Sequence, residues 1–238
     1  MNFALAQLPL KLNLRDDSIF DNFFVGDNLQ LMTILKNFIV RQSEQFIYCY
    51  GESGVGRTHL LQACCHAMSE NNQAVFYLPL SHHADFSPEI FDALENLDCV
   101  FIDDVDAIVG NRVWEEALFY FYNRARENNV SLLVSANFLP QQLNCLLPDL
   151  QSRLAWGLTV AIKNLSDEEK IKTLQMRAQL RGFDLSDEVG RYLIHRYSRN
   201  MGNLILVLEK LDQASLAAKR RITIPFIKTL NISLNETC

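Results

Sequence analysis

Residues 51–58 read Gly51-Glu52-Ser53-Gly54-Val55-Gly56-Arg57-Thr58, between an apolar run (46–50) and a segment of helical periodicity that begins at His59. An apolar strand, a glycine-rich turn and a helix, in that order, are the context that a phosphate-binding loop requires. The glycines let successive backbone N–H groups point at one anion, and the positive end of the helix dipole adds to the attraction. The stretch therefore predicts a phosphate site. The alternative is a glycine-rich turn with no ligand.

Two side chains of this loop and one strand end extend the prediction to a nucleotide with magnesium. Arg57 stands where the pattern G-x-x-x-x-G-K-[ST] has lysine, so the charge is kept as a planar fork. Thr58 keeps the hydroxyl that ligates magnesium in such loops. The apolar strand at 100–102 ends in Asp103 and Asp104, and Asp103 is the expected acidic partner of a magnesium ion held by Thr58.

Composition limits the classes of function. The chain has 238 residues, of which 49% are apolar, so it can bury one large core and a small second one. Its formal charge is −6, which argues against a free-standing nucleic-acid binder because such proteins usually carry a basic face. The six cysteines show no C-x-x-C spacing and read as reduced core thiols. No apolar run has the length of a membrane helix, so we expect a cytoplasmic protein.

Strand and helix patterns alternate through most of the chain and predict an α/β fold. A helix at about 28–41, capped by Asp27, precedes the phosphate loop. Beyond the loop helix, the patterns predict strands at 74–78, 99–102, 131–135 and 158–162 and helices at 88–95 and 113–127. With the strand at 46–50, this makes a five-stranded parallel sheet between helices.

From residue 163 onward the strand patterns stop. The capping box at Ser166 opens a helix that Gly182 closes, and Ser186, Asn200 and Thr223 precede three more helices. This predicts a small all-α lid. The domain boundaries are then a tail at 1–17, a nucleotide-binding domain at 18–162 and a lid at 163–238, with a hinge at Lys163-Asn164.

Four features together resemble an AAA+ P-loop module. They are the phosphate loop, the acidic strand end, Asn137 just past the strand at 131–135, and the helical lid. Within that class, two stretches are similar to the bacterial replication initiator DnaA: Phe20-Asp21-Asn22-Phe23 and Ser152-Arg153-Leu154-Ala155-Trp156-Gly157-Leu158-Thr159-Val160. We expect neither that initiator's N-terminal domain nor its C-terminal helix-turn-helix domain in this chain. With Arg177-Ala178-Gln179-Leu180-Arg181-Gly182-Phe183 in the lid, it resembles the Hda family of DnaA-homologous regulators, which inhibit DNA replication by inactivating DnaA.

This resemblance implies a ligand and two partners. It implies ADP or another adenine nucleotide with magnesium, contacted by the phosphate loop, Asn137, and Phe23 and Val25 of the aromatic segment at 19–26. Plain core packing is the alternative for the aromatic segment. The partners are DnaA and the DNA polymerase sliding clamp, which would bring the protein to the nucleoid. Neither direct specific DNA binding nor a membrane is expected, and a homo-oligomer is compatible with the sequence.

The tail carries a motif that the resemblance gives a meaning. Gln7-Leu8-Pro9-Leu10-Lys11-Leu12 is similar to the Q-L-[SP]-L-P-L clamp-binding motif of the family. Glutamine would bond at the rim of an apolar pocket and leucines would fill it, so the anchors are Gln7, Leu8, Leu10 and Leu12. Lys11 replaces the proline of the motif, which removes some preorganisation of the extended backbone. The alternative is a terminus with incidental leucines.

Arg153 resembles the arginine finger of AAA+ proteins, which reaches the γ-phosphate of a neighbour's nucleotide. In the Hda family that neighbour is DnaA carrying ATP, and a cation supplied in trans accelerates hydrolysis by ~10³ to 10⁵. The alternative is an arginine that caps a short helix at 147–154 or pairs with Asp149.

The chain's own site has two departures from an AAA+ ATPase. Asp104 stands where such enzymes usually have glutamate, although DnaA itself has two acids there, so this difference is not decisive. Gly202 stands at the position of the second sensor arginine. Arg199 could substitute only with a slip of register. We therefore expect ADP as a structural effector and little intrinsic turnover. The competing hypotheses are a self-sufficient AAA+ ATPase or clamp-loader-like motor and, less favoured by charge, a DNA binder.

Overall fold

A computed structural model describes residue 14 and residues 17–42 and 44–230. Five strands form one parallel sheet in the order β2-β3-β4-β1-β5. Their bounds are β1 Phe46–Tyr50, β2 Val75–Pro79, β3 Cys99–Asp103, β4 Ser131–Ala136 and β5 Leu158–Ala161. The predicted α/β fold class, with its five-stranded parallel sheet, is confirmed.

The helices flank the sheet and then form the lid. Eight α-helices are present in the described residues: α1 Leu29–Ile39, α2 Arg57–Glu70, α3 Arg112–Glu127, α4 Pro148–Leu154, α5 Asp167–Leu180, α6 Asp187–Arg196, α7 Met201–Ala218 and α8 Ile224–Thr229. The last four make up the predicted all-α lid. No helix in the described ranges is long and apolar enough to cross a membrane.

Both faces of the sheet are covered, which explains the near-continuous apolar strands. One core joins α3 and α4 to the sheet around Tyr48, Ile102 and Phe121. The other joins α1 and α2 to the opposite face around Leu35 and Phe101. The described cysteines are all free thiols, as predicted. Four of them are buried in the second core, where burial raises their pKa values: Cys49, Cys64, Cys65 and Cys99.

The lid has a core of its own and well-formed caps. Leu174, Leu193 and Leu208, from three different helices, are fully buried in it. At the start of α5, the Ser166 hydroxyl accepts from the Glu169 amide and the Glu169 carboxylate accepts from the Ser166 amide, which is the predicted capping box. Because capping satisfies amides that lack helical partners, it fixes where the lid begins.

Two local predictions were wrong. Asp27 does not cap α1; Gly26–Asn28 is a 3₁₀ turn that leads into the helix, and no side-chain cap bond forms there. The segment predicted as a helix at 88–95 is a 3₁₀ helix, Pro88–Ala93. In both places a tighter turn replaces an α-helical start, because Asn28 is held by distant backbone and the short segment at Pro88 packs against α3.

The predicted hinge is tied to the nucleotide-binding domain by side chains. Asn28 donates to the Lys163 carbonyl at 3.1 Å and accepts from the Lys163 amide at 2.8 Å. Asn164 donates to the Glu52 carboxylate of the phosphate loop at 2.7 Å. The chain therefore enters the lid from a point anchored both to the start of α1 and to the phosphate loop.

Candidate functional site

The phosphate loop has the backbone that its sequence predicts. Gly54 and Gly56 have φ angles of +87° and +101°, a region that L side chains rarely adopt. Close approach adds a second reason for glycine, because a Cβ on Gly56 would lie 2.8 Å from the Phe23 ring. The loop turns at these two residues and opens α2 at Arg57, so the N-terminus of a 14-residue helix faces the loop.

A cavity of about 310 Å³ lies between this loop and the lid. Its lining is part polar and part apolar, which suits a ligand with a polar and an apolar end. The loop side is lined by 53–59. The N-terminal segment and the lid add apolar side chains, among them Phe23 and Ile205, together with polar ones such as Arg177. Val25, predicted beside Phe23, packs instead against the core of α1 and α2 and is not among the lining residues.

Arg57 is held by the protein itself. Its guanidinium donates to Asp104 Oδ1 at 2.8 Å and to the Gly51 carbonyl at 3.0 Å, and the residue is 8% exposed. A lysine ammonium lacks the planar fork that makes these two bonds in a fixed geometry. The positive charge that the loop offers to a phosphate is therefore partly neutralised by Asp104.

The carboxyl group of Asp104 sits in an unusual environment. Asp104 has left-handed backbone angles (φ 55°, ψ 54°), and its amide donates to the Ser135 hydroxyl at 3.0 Å. Burial, followed by the nearby Asp103 charge, raises the pKa of Asp104 from 3.8 to about 6, and Arg57 opposes that rise. A fraction of Asp104 thus holds its proton in weakly acidic solution.

Asp103 is buried at the end of β3 and anchored by two hydroxyl groups. Tyr77 donates to Oδ2 at 2.7 Å and Ser135 donates to Oδ1. Burial and then the Asp103 charge raise the pKa of Tyr77, so the phenol stays protonated as a donor. No sequence pattern pointed to Tyr77, because it lies on β2, the strand that pairs with β3.

Thr58 and Asp103 both line one cavity of about 470 Å³ that adjoins the phosphate loop. The described residues hold no group of three or more His, Cys, Asp or Glu side chains arranged for a metal. Magnesium does not need one, since it accepts one carboxylate with waters and phosphate oxygens. Each Asp103 oxygen keeps a second lone pair beyond its hydrogen bond. Thr58 and Asp103 together therefore fit a magnesium ion that is bound with a nucleotide.

Asn137 lies away from both cavities. Its side-chain amide donates to Asp106 Oδ2 at 2.6 Å and its backbone amide donates to Asp106 Oδ1 at 3.1 Å. It is not among the residues that line the phosphate-loop cavity. A nucleotide contact by Asn137 stays a prediction.

The lid contributes residues that sequence reasoning did not assign to the site. Asn200 caps α7 by accepting from the Asn203 amide, and its Nδ2 donates to the Ser53 carbonyl of the phosphate loop at 2.8 Å. Arg177 lines the cavity and pairs with Asp17 at 2.8 Å. Only the cap at Asn200 was visible as a pattern; the partners are far away in the chain.

Gly202 and Arg199 occupy different places. Gly202 lines the cavity, and a Cβ there would meet only the Asn200 side chain, at 3.1 Å. Arg199 is 70% exposed, lies 3.8 Å from Asp167 and does not line the cavity. The lid therefore presents a bare backbone where the sensor arginine is expected, and Arg199 does not replace it in this arrangement.

Arg153 lies in the last turn of α4 and is half-buried. Its guanidinium carbon is 5.2 Å from the centre of the Trp156 ring, and that of Arg126 is 3.9 Å from the same ring. Within the described ranges, Arg153 makes no ion pair, with Asp149 or any other carboxylate. The tail motif at Gln7–Leu12 lies outside the described residues.

Comparison with known families adds to this geometry. Residues 14–161 match the family model for the bacterial DnaA ATPase domain, which is more than half of the chain. The chain belongs to that family. Residues 167–230 match the model for the lid domain of Hda. The chain is thus a DnaA-like AAA+ domain followed by an Hda-type lid.

Solved structures agree on the fold. Domain III of the Thermotoga maritima replication initiation protein DnaA is 21% identical, with a TM-score of 0.76, and the match covers 90% of this chain and 97% of that one. The replication initiator DnaA bound to AMPPCP and single-stranded DNA is 20% identical, with a TM-score of 0.72 over 87% and 69%. The Holliday junction branch migration motor RuvB of T. maritima is 18% identical, with a TM-score of 0.67 over 92% and 74%.

Proposed function

We propose that this chain is a negative regulator of replication initiation. It binds ADP at its phosphate loop and the DNA-loaded sliding clamp through its tail, and it uses Arg153 to stimulate hydrolysis of the ATP carried by DnaA. The observation that carries the proposal is the contrast between its two candidate cationic groups. Arg57 at the chain's own loop is bonded to Asp104, whereas the half-buried Arg153 has no carboxylate partner in the described chain.

The phosphate-loop cavity supports ADP as the resident nucleotide. Its volume of about 310 Å³ falls at the lower end of ordinary ligand pockets. The α2 N-terminus and the loop amides supply anion-binding groups. Gly202 places no side-chain cation at the sensor position, and Arg177, the lid arginine that lines the cavity, is already paired with Asp17. Magnesium held by Thr58 and Asp103 would screen the phosphates when bound.

The position of α4 supports action in trans. Gln151 ties the preceding segment to α4 by donating to the Leu143 carbonyl at 2.7 Å and the Pro140 carbonyl at 3.1 Å. The helix is therefore fixed on the domain, and Arg153 extends from a rigid support. A preorganised cation of this kind acts on charge that develops in phosphoryl transfer.

Clamp binding rests on the sequence of the tail alone. Gln7, Leu8, Leu10 and Leu12 keep the anchor types of the family motif. An extended peptide with two or three apolar anchors binds a groove largely independently of the domain that carries it. The two partners, DnaA and the clamp on DNA, would place the protein at the nucleoid.

Substitution of Arg153 tests the proposal. In a mixture of clamp on DNA, this chain with ADP, and ATP-bound DnaA, Arg153→Ala should lower hydrolysis by about 10³-fold if the finger is fully engaged. Its own ADP affinity and clamp binding should stay near those of the wild type, because Arg153 does not line the phosphate-loop cavity and is not part of the tail motif. Arg153→Lys should recover little, since an ammonium lacks the planar fork. Unchanged hydrolysis with Arg153→Ala would reject the finger.

One observation favours a second candidate, a self-sufficient ATPase. Thr58 and Asp103 share a cavity, as a hydrolytic site of this class requires. A single-turnover measurement with labelled ATP on the chain alone separates the two. Turnover that survives Arg153→Ala and needs no DnaA would support the ATPase instead.

A further inference from the structure

Trp156 is an exposed tryptophan that carries two arginines. The residue is 53% exposed, yet Arg126 from α3 lies 3.9 Å and Arg153 from α4 lies 5.2 Å from the centre of its ring. Both distances are within the range of a cation–π contact. The ring is therefore the shared support of two guanidinium groups that come from different helices.

The two arginines differ from most others in this acidic chain. Most of the described arginines on the nucleotide-binding domain have a carboxylate partner, such as Asp98 for Arg41 and Glu116 for Arg112. In the described part of the chain, Arg126 and Arg153 have none. Two like charges on one ring repel each other, so a local attraction must hold them, and the negative face of the indole supplies it.

Asp149 makes the absence of a pair at Arg153 informative. It lies four residues before Arg153 in α4, the spacing at which an aspartate and an arginine on one helix normally attract each other. The structure nevertheless leaves the guanidinium at Trp156. The ring and Asp149 thus compete for the same side chain, and the ring holds it.

We propose that Trp156 is a positioning residue for Arg153. It keeps the guanidinium away from Asp149 and available to the triphosphate of a partner protein. The contact of Arg126 with the same ring holds the ring in place. The inference rests on the proposed in-trans role of Arg153. The positioning role is nevertheless a separate claim from the proposed function, because it concerns how the arginine is held and not what the arginine does.

The test measures the maximal rate of partner-bound ATP hydrolysis and the concentration of this chain that gives half of it. Trp156→Ala should lower the maximal rate by about 3- to 10-fold, the combined size of an exposed cation–π contact and a helical ion pair. The half-saturating concentration should hardly change. The maximal rate of Trp156→Phe, which keeps an aromatic face, should lie between those of the wild type and of Trp156→Ala. Tyr120→Ala removes another aromatic residue that is 58% exposed and should have no effect.

Rescue identifies the cause. If Asp149 captures the released arginine, Asp149→Asn in the Trp156→Ala background should recover roughly the 1.5- to 2-fold part of the loss that the ion pair accounts for. A rise in the half-saturating concentration at an unchanged maximal rate would instead make Trp156 a plain contact residue and overturn the proposal. No recovery with Asp149→Asn would overturn the competition.

Two controls keep this failure distinct from failure of the proposed function. If Arg153→Ala has no effect on hydrolysis, the finger itself is wrong. If Arg153→Ala abolishes hydrolysis but Trp156→Ala does not lower it, only the positioning role is wrong. The contact can also be measured without any partner: Arg153→Ala should change the fluorescence of Trp156, while Trp114, at 5% exposure, should be unaffected. Unchanged emission would contradict the contact.

Discussion

Replacing Asp104 by asparagine separates the charge of this side chain from its shape. Asparagine keeps an oxygen that can accept from Arg57, but it cannot ionise. In the wild type, burial and the adjacent Asp103 raise the pKa of Asp104 to about 6 despite the Arg57 guanidinium at 2.8 Å. The ionised form is therefore disfavoured by the fold at neutral pH, and the substitution should remove that penalty.

The size of the effect follows from the pKa. Raising it from 3.8 to about 6 corresponds to about 3 kcal/mol, at ~1.36 kcal/mol for each pH unit. Because the folded value is the higher one, the contribution of Asp104 to stability is complete below about pH 4 and is lost as the pH rises through about 6. Asp104→Asn should thus be more stable than the wild type by roughly 2 to 3 kcal/mol near pH 7.5 and by about 1.5 kcal/mol near pH 5.

Urea unfolding without nucleotide measures this difference. The free energy of unfolding is determined for wild type and variant at about pH 5 and about pH 7.5, and the two differences are compared. Asp85→Asn is the matched control, since Asp85 lines the same cavity with a side chain that is 76% exposed. It should change the stability little at either pH.

The same substitution should strengthen ADP binding near pH 7.5, because Arg57 then keeps its full charge for the phosphates. Calorimetric titration with ADP at both pH values measures this, and the gain over wild type should shrink near pH 5. A difference in stability that is the same at both pH values, or a less stable Asp104→Asn protein, would refute the reasoning about this carboxyl group.

Three further predictions concern other parts of the chain. Asn200→Ser should keep the cap on α7 but lose the bond to the Ser53 carbonyl. Calorimetry should therefore show weaker ADP binding at a nearly unchanged melting temperature. An ADP affinity equal to that of the wild type would contradict the link between lid and loop. Glu115→Gln removes a fully buried carboxylate that accepts from three backbone amides and should lower the free energy of unfolding by about 1.5 to 3 kcal/mol in urea; a loss below 0.5 kcal/mol would contradict it. Gln7→Ala with Leu10→Ala should abolish co-elution with the clamp at unchanged melting temperature, and retained co-elution would reject the motif.

The fold could be predicted because its signals are local. Strand β3 is buried along all five residues, so its apolar run shows in the sequence without any knowledge of its neighbours. The cap at Ser166 is a pattern within four residues. Where a distant group takes part, the local signal misleads: Asp27 looks like a cap, but Asn28 is fixed by Lys163, 135 residues away.

The candidate site shows the same division. The phosphate loop and the acids at the end of β3 follow from spacing, whereas the partners of Arg57 and Ser53 come from residues 47 and 147 positions away. Patterns of polarity along the chain carry no information on such pairs. The support of Arg153 is an intermediate case, since Trp156 is close in sequence but Arg126 reaches the ring from α3.

The location of the hydrolysed nucleotide tests the central claim most directly. Labelled ATP is bound either to DnaA or to this chain, the proteins are mixed with clamp on DNA, and a single turnover is followed. We expect label on DnaA to be hydrolysed at a rate that depends on Arg153, while label on this chain stays intact. Hydrolysis of the label on this chain, with none of the label on DnaA, would contradict the account.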